Sequence, residues 1–119
     1  MLAFIRTLMS GEDVLSAAEF RIRYRSGDAV LDVRTPAEYS AGHLEGADNV
    51  DVMAPDFAAR VDALERSKTY YLYCRSGNRS GQAARRMKEM GFDNVYNIGG
   101  FEALAMEGIP VVSNAYALV

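Results

Sequence analysis

The sequence predicts an α/β fold, one domain whose mostly parallel sheet is covered by helices on both faces. Three observations carry this. Short apolar, strand-like runs alternate with helix-like segments along the chain. The strands are separated by helical segments, which implies crossover connections and hence parallel pairing. Two of the helix starts carry paired capping signals. The 119 residues suit a single domain, 1–119 with its core over about 16–112, and contain no repeat, linker or low-complexity stretch.

The elements follow in order. "SAAEFRIRY" opens the first helix, because Ser16 stands three residues before Glu19 in a capping-box pattern. "AVLDV" (29–33) is short, apolar and β-branched, as a buried strand should be. "TPAEY" repeats the helix-start chemistry, with Thr35 as cap, Pro36 in the first helical position and Glu38 reaching back. "AGHLEGADNVD" reads as a loop with a short strand at its end. Pro55 is expected to open the next helix, whose Phe57, Val61 and Leu64 form an apolar stripe. "TYYLY" (69–73) is a strand, and 80–90 a helix stopped by Gly91. "NVYNI" is a further strand and "GGFEALAMEG" a short helix closed by Gly108. "IPVV" and a polar-then-apolar tail finish the chain.

Composition excludes several function classes. A net charge of −3 gives no basis for a nucleic-acid surface. One cysteine cannot form an intrachain disulfide and fits a reducing, cytoplasmic compartment. One Cys and one His do not fill a zinc shell. "MLAFIRTLM" is too short for a signal-peptide core, and no apolar run approaches membrane-spanning length. The expectation is a cytoplasmic domain that uses neither nucleic acid nor membrane.

The single cysteine, Cys74, closes the "TYYLY" strand. In open parallel sheets, ligands bind beyond the carboxyl ends of the strands, where loops enter the following helices. Between Cys74 and the helix expected about six residues on lies "RSGNR". Gly77 takes positive φ without steric cost and Asn78 tolerates it, so the loop can turn successive N–H groups inward as an anion-binding nest. A helix N-terminus near Arg79 and Ser80 adds free donors and partial positive charge. A thiol in such a bowl ionises at roughly 3.5–7.5 rather than about 8.5. The alternative, a small buried hydrophobe without chemistry, is outweighed by the glycine, the two arginines and the strand–loop–helix placement.

"CRSGNRS" resembles the active-site loop of the rhodanese-like sulfurtransferases, a cysteine followed by four residues and an arginine. "LDVRTPAEYSAGHLEGADNV" (31–50) resembles that family's first signature and "MGFDNVYNIGGFEAL" (90–104) its closing one, while "GIPVV" is similar to its usual last strand and exit. The resemblance implies a five-stranded parallel sheet flanked by helices, with Cys74 as nucleophile. The Cys74 thiolate would take the outer sulfur of thiosulfate or a related small sulfur-containing anion, and pass it from a persulfide to cyanide or a thiol. Arg75, Ser76, Gly77, Asn78, Arg79 and Ser80 would bind the anionic sulfur. No metal or organic cofactor is implied. Two alternatives stand beside this: a persulfide carrier or binding module for a partner protein acceptor, and a thiol phosphatase or arsenate reductase. The last class places five residues between cysteine and arginine, and four stand here.

The neighbouring residues carry their own expectations. Arg79 should point at the thiolate, cap loop carbonyls, or do both, and Arg75 should sit at the pocket mouth. Asp32 and Arg34 end the first core strand, near the same sheet edge, and should fix the loops by an ion pair or hydrogen bonds. His43 should hold its loop by hydrogen bonds rather than act as a base. Tyr70, Tyr71 and Tyr73 should pack under helices, and Arg85, Arg86 and Lys88 should form a solvated helix face. Glu38 falls near where two-domain members carry a basic residue, which weakens the case for thiosulfate as the natural donor.

Overall fold

Residues 13–113 are described by the computed structural model; the apolar opening stretch and the tail beyond Ser113 lie outside them. In chain order they form β1 (Asp13–Val14), α1 (Ala17–Arg23), β2 (Ala29–Asp32), α2 (Pro36–Ala41), β3 (Gly42–Leu44), β4 (Asp48–Asn49) and α3 (Phe57–Asp62). There follow β5 (Tyr70–Cys74), α4 (Asn78–Glu89), β6 (Val95–Gly100), α5 (Phe101–Met106) and β7 (Val111–Ser113). Five strands make an all-parallel sheet in the order β1-β6-β5-β2-β4, so β5, which ends in Cys74, is central.

Both predicted capping boxes form. Ser16 Oγ accepts from Glu19 N at 3.0 Å and Ser16 N donates to Glu19 Oε1 at 2.8 Å. Thr35 and Glu38 exchange the same pair of bonds, with Pro36 in the first turn of α2. These contacts need only four consecutive residues, so they are legible without a tertiary structure.

Alternation along β5 assigns its side chains to two cores. Tyr70, Leu72 and Cys74 face a cluster with Leu31, Val33, Phe57 and Val61, roofed by Ala83, Ala84 and Met87 of α4. Tyr71 and Tyr73 face the other side, with Phe20 of α1, Leu44 and Leu104 of α5. Burial of each large apolar side chain contributes about 1.5–3 kcal/mol. All five β5 residues are buried, the signature of a strand covered on both faces.

Several boundaries differ from expectation. The helix after Cys74 begins at Asn78, not Ser80, because Gly77 takes φ 97° at the N-cap and its carbonyl accepts from Gly81 N at 3.1 Å. Pro55 lies in the turn before α3 rather than in its first turn, with Asp56 at the N-cap. β1 and β3 escape prediction because two or three residues cannot display an alternation. "IPVV" does not extend the main sheet: β7 pairs antiparallel with β3 in a separate two-stranded sheet.

Candidate active site

Cys74 ends β5 opposite Gly100 of β6, and the loop that follows folds back over its sulfur. Gly77 N–H points at Sγ from 3.0 Å and Ser80 Oγ lies 3.4 Å away. The N–H groups of Ser80 and Ser76 also favour negative charge there. Burial pushes the Cys74 thiol up, yet the Ser80 hydroxyl and the N–H groups of Ser80, Ser76 and Gly77 together hold it below the ordinary thiol value. The residue is 0 % exposed, so the sulfur sits beneath the loop rather than at an open mouth.

The loop depends on close approach by the turn after Ile98. A Cβ on Gly100 would stand 2.5 Å from the Arg75 carbonyl oxygen, and one on Gly77 3.3 Å from Gly99 Cα. Gly100 is therefore room for the thiol loop, whereas Gly99 has open space where a Cβ would stand and takes φ 92°.

Arg79 lies differently from expectation. Its guanidinium pairs with Glu38 through both oxygens, Nη1 to Oε1 at 2.7 Å and Nη2 to Oε2 at 2.9 Å, rather than aiming at sulfur or capping carbonyls. Glu38 also accepts from Thr35, so one carboxylate caps α2 and clamps the start of α4. Arg79 holds Glu38 down to about 2, burial opposing and Thr35 assisting. Spent on a carboxylate, Arg79 contributes little unbalanced charge to the thiol.

Asp32 and Arg34 form the expected ion pair, buried, with Arg34 Nε 2.9 Å from Asp32 Oδ1. Arg34 Nη2 also donates to Gly42 O at 2.6 Å, and its guanidinium lies 4.6 Å over the Phe101 ring. Tyr73 Oη donates to Asp32 Oδ2 at 2.7 Å and accepts Leu44 N–H at 2.9 Å. Buried charge is tolerated here because every group has partners. Burial, followed by the Asp32 contact, drives the Tyr73 hydroxyl far above its usual value, so it stays a donor. The pair therefore fixes loops near the sheet edge and does not reach the sulfur.

Arg75, Ser76 and Asn78 are exposed. Arg75 lines a cavity of about 350 Å³ together with Arg34, Glu38, Ala41, Phe101 and Glu102. His43 meets its structural expectation: Nδ1 lies 2.9 Å from Tyr39 O and the ring stacks on Tyr39 at 3.7 Å. The tyrosines of β5 pack as expected. Of the basic face of α4, Arg85 and Arg86 are exposed as expected, Arg86 with its guanidinium 4.6 Å over the Phe57 ring, while Lys88 is partly buried and pairs with Asp13 at 2.7 Å.

Sequence reasoning missed Asn97. It is buried in β6, where Oδ1 accepts from Ser80 Oγ at 2.7 Å and from Gly99 N at 3.1 Å while Nδ2 donates to Gly77 O at 3.0 Å. The available signal was a polar side chain in an otherwise apolar "VYNI" strand.

A family model described as a rhodanese-like domain matches residues 16–107. The chain is 38% identical over 96 residues to thiosulfate sulfurtransferase 16, chloroplastic, of Arabidopsis thaliana, covering 71% of this chain and 80% of that protein. It is 34% identical over 76 residues to thiosulfate sulfurtransferase PspE of Escherichia coli (strain K12), covering 64% and 73% respectively. A rhodanese-related protein from Thermoplasma volcanium superposes with a TM-score of 0.73 at 31% identity, over 84% of this chain and 97% of that one. The family model spans the thiol loop and the strands β2 to β6, the relatives and the fold point the same way, and the chain belongs to the rhodanese-like domain family.

Proposed function

We propose that the protein is a sulfurtransferase that carries sulfane sulfur on Cys74. The observation that carries this reading is the Gly77 N–H 3.0 Å from Sγ, in a loop whose neighbouring amides also favour a thiolate. In the first half-reaction the Cys74 thiolate attacks the outer sulfur of thiosulfate or a related anion. A new S–S bond forms, the donor's bond to its outer sulfur breaks, and the rest of the donor, sulfite in the case of thiosulfate, leaves with the electron pair. In the second, cyanide or a thiolate attacks the outer sulfur of the persulfide and the electron pair returns to Cys74 Sγ. Splitting one transfer into two displacements is covalent catalysis and gives ping-pong kinetics.

The loop amides at 75–80 stabilise the terminal sulfur's charge, as an oxyanion hole does for oxygen. Arg75 draws the anion from the rim, and Glu38, neutralised by Arg79, repels a dianion less than a free carboxylate would. Four residues between Cys74 and Arg79 favour one sulfur atom over a tetrahedral phosphate or arsenate. Because Cys74 is fully covered, the donor enters only as the exposed loop residues yield. Among the described residues no helix is long and apolar enough to cross a membrane.

Intact-mass measurement after incubation with thiosulfate tests the reading. The expected result is one added sulfur atom that cyanide removes, and none in a folded Cys74→Ser variant. Transfer from thiosulfate to cyanide by Cys74→Ser would overturn it, since the chain holds no second thiol.

A further inference from the structure

Ser80 Oγ has one proton and two acceptors within reach, Asn97 Oδ1 at 2.7 Å and Cys74 Sγ at 3.4 Å. The Asn97 amide cannot turn over to resolve the competition. Its Nδ2 is held by Gly77 O at 3.0 Å and its Oδ1 by Gly99 N–H at 3.1 Å, so an oxygen must face Ser80. All three side chains are buried, and none of their polar atoms is left without a partner. The hydroxyl proton must therefore choose between sulfur and amide.

We propose that Asn97 is a positioning residue that parks the Ser80 hydroxyl proton whenever Cys74 Sγ is uncharged, and releases it when Sγ becomes a thiolate. This rests on the reading of Cys74 as the sulfur-carrying nucleophile. In the neutral thiol, Ser80 O–H donates to Asn97 Oδ1 while the Sγ–H donates to the free lone pair of Ser80. On ionisation the Sγ proton passes to water, and the hydroxyl rotates to donate to the thiolate, giving up its bond to Asn97. Once Sγ is joined to an outer sulfur its charge is gone, and the proton returns to Asn97. When an acceptor removes that sulfur, the electron pair comes back to Sγ and the hydroxyl swings to meet it. Asn97 and Sγ between them keep the hydroxyl hydrogen-bonded in every state, and ionisation of the thiol is set against the loss of one buried bond to Asn97.

The charged groups around the sulfur do not reproduce this. From α4 comes Arg79, neutralised by Glu38 of α2 and also under the influence of Asp51 in the loop after β4; from the end of β2 come Asp32 and Arg34, paired with each other; and from the thiol's own loop Arg75. β6, packed against Cys74 on the remaining side, presents Asn97 and two glycines and no charge.

The test reads the Cys74 pKa from thiolate ultraviolet absorbance, as each protein minus its Cys74→Ser counterpart, in four backgrounds: wild type, Asn97→Ala, Ser80→Ala and the double variant. Asn97→Ala is expected to lower the pKa by about 0.5–1 unit, because ionisation no longer breaks a buried hydrogen bond. Ser80→Ala raises it, and the double variant matches Ser80→Ala, since Asn97 acts only through the hydroxyl. A rise in Asn97→Ala, or an equal shift whether or not the Ser80 hydroxyl is present, would make Asn97 a loop support and overturn the proposal. If Asn97→Ala does not fold, the infrared S–H stretch of the neutral thiol decides. It should lie lower in wild type than in Ser80→Ala, and equal frequencies would refute the parked arrangement. Persulfide formation in wild type is measured separately, so failure of the proton switch and failure of the sulfurtransferase reading stay distinct.

Discussion

Replacing Gly100 by alanine places a methyl group against the backbone of the thiol loop. Gly100 has φ −101° and ψ 151°, values any residue adopts, so the cost comes from space alone. The new Cβ would lie 2.5 Å from Arg75 O, 3.2 Å from its carbonyl carbon and 3.3 Å from Ser76 Cα. All three neighbours are backbone, so a side chain cannot rotate away. Bringing the oxygen contact even to 3.0 Å requires the loop to retreat by about half an ångström. Overpacking of this kind costs about 1–3 kcal/mol. Against it stands about 0.4–1 kcal/mol gained by restricting the unfolded chain. At the midpoints of the two ranges the clash wins, and net destabilisation of about 1 kcal/mol should lower Tm by several degrees. Gly77 N, 3.0 Å from Sγ, moves with the loop, so the Cys74 pKa should rise as that donor is drawn off. Calorimetry and thiolate absorbance, again minus Cys74→Ser, check the two halves. An unchanged or higher Tm together with an unshifted thiol would show that the loop does not rest on Gly100, and the space argument would fail.

Further outcomes follow from the same geometry. Ser80→Ala should raise the Cys74 pKa more than Arg79→Ala does, because Ser80 reaches the sulfur while Arg79 is balanced by Glu38; the reverse order in a pH titration would restore arginine as the activating group. Glu38→Gln should cost about 1–2 kcal/mol at neutral pH by urea unfolding, given a bidentate, partly exposed pair. Glu38 has a depressed pKa, so its contribution is complete above the unfolded value of about 4.3 and fades as pH falls toward about 2; wild type and variant should converge in that window, and a constant gap across it would contradict the pairing. Tyr73→Phe should lose about 1–3 kcal/mol, since Leu44 N–H and Asp32 Oδ2 each lose a buried partner; a loss under about 0.5 kcal/mol would mean that water replaces the hydroxyl.

The caps of α1 and α2 were legible because each lies within four consecutive residues, and the parallel sheet because strand and helix periods alternate along the chain. Cys74 stood out for similar reasons: it ends a strand, a glycine and polar residues follow, and a helix comes next. The start of α4 was misplaced by two residues, because whether Gly77 is loop or N-cap depends on its φ of 97° rather than on its identity. The partner of Arg79 was beyond local reading altogether. Glu38 lies 41 residues earlier and already had a complete local role as a helix cap. Asn97 was hidden similarly, its bond to Ser80 crossing 17 residues between neighbouring elements. By itself the sequence determined the longer elements and the sheet type and singled out Cys74 as the candidate nucleophile, since these rest on short-range sterics and periodicity. Only the tertiary structure decided which arginine is neutralised, what faces the sulfur and where the hydroxyl's proton can go. Those outcomes depend on distances of about 3 Å between residues far apart in the chain, set when the packed sheet brings strand ends together.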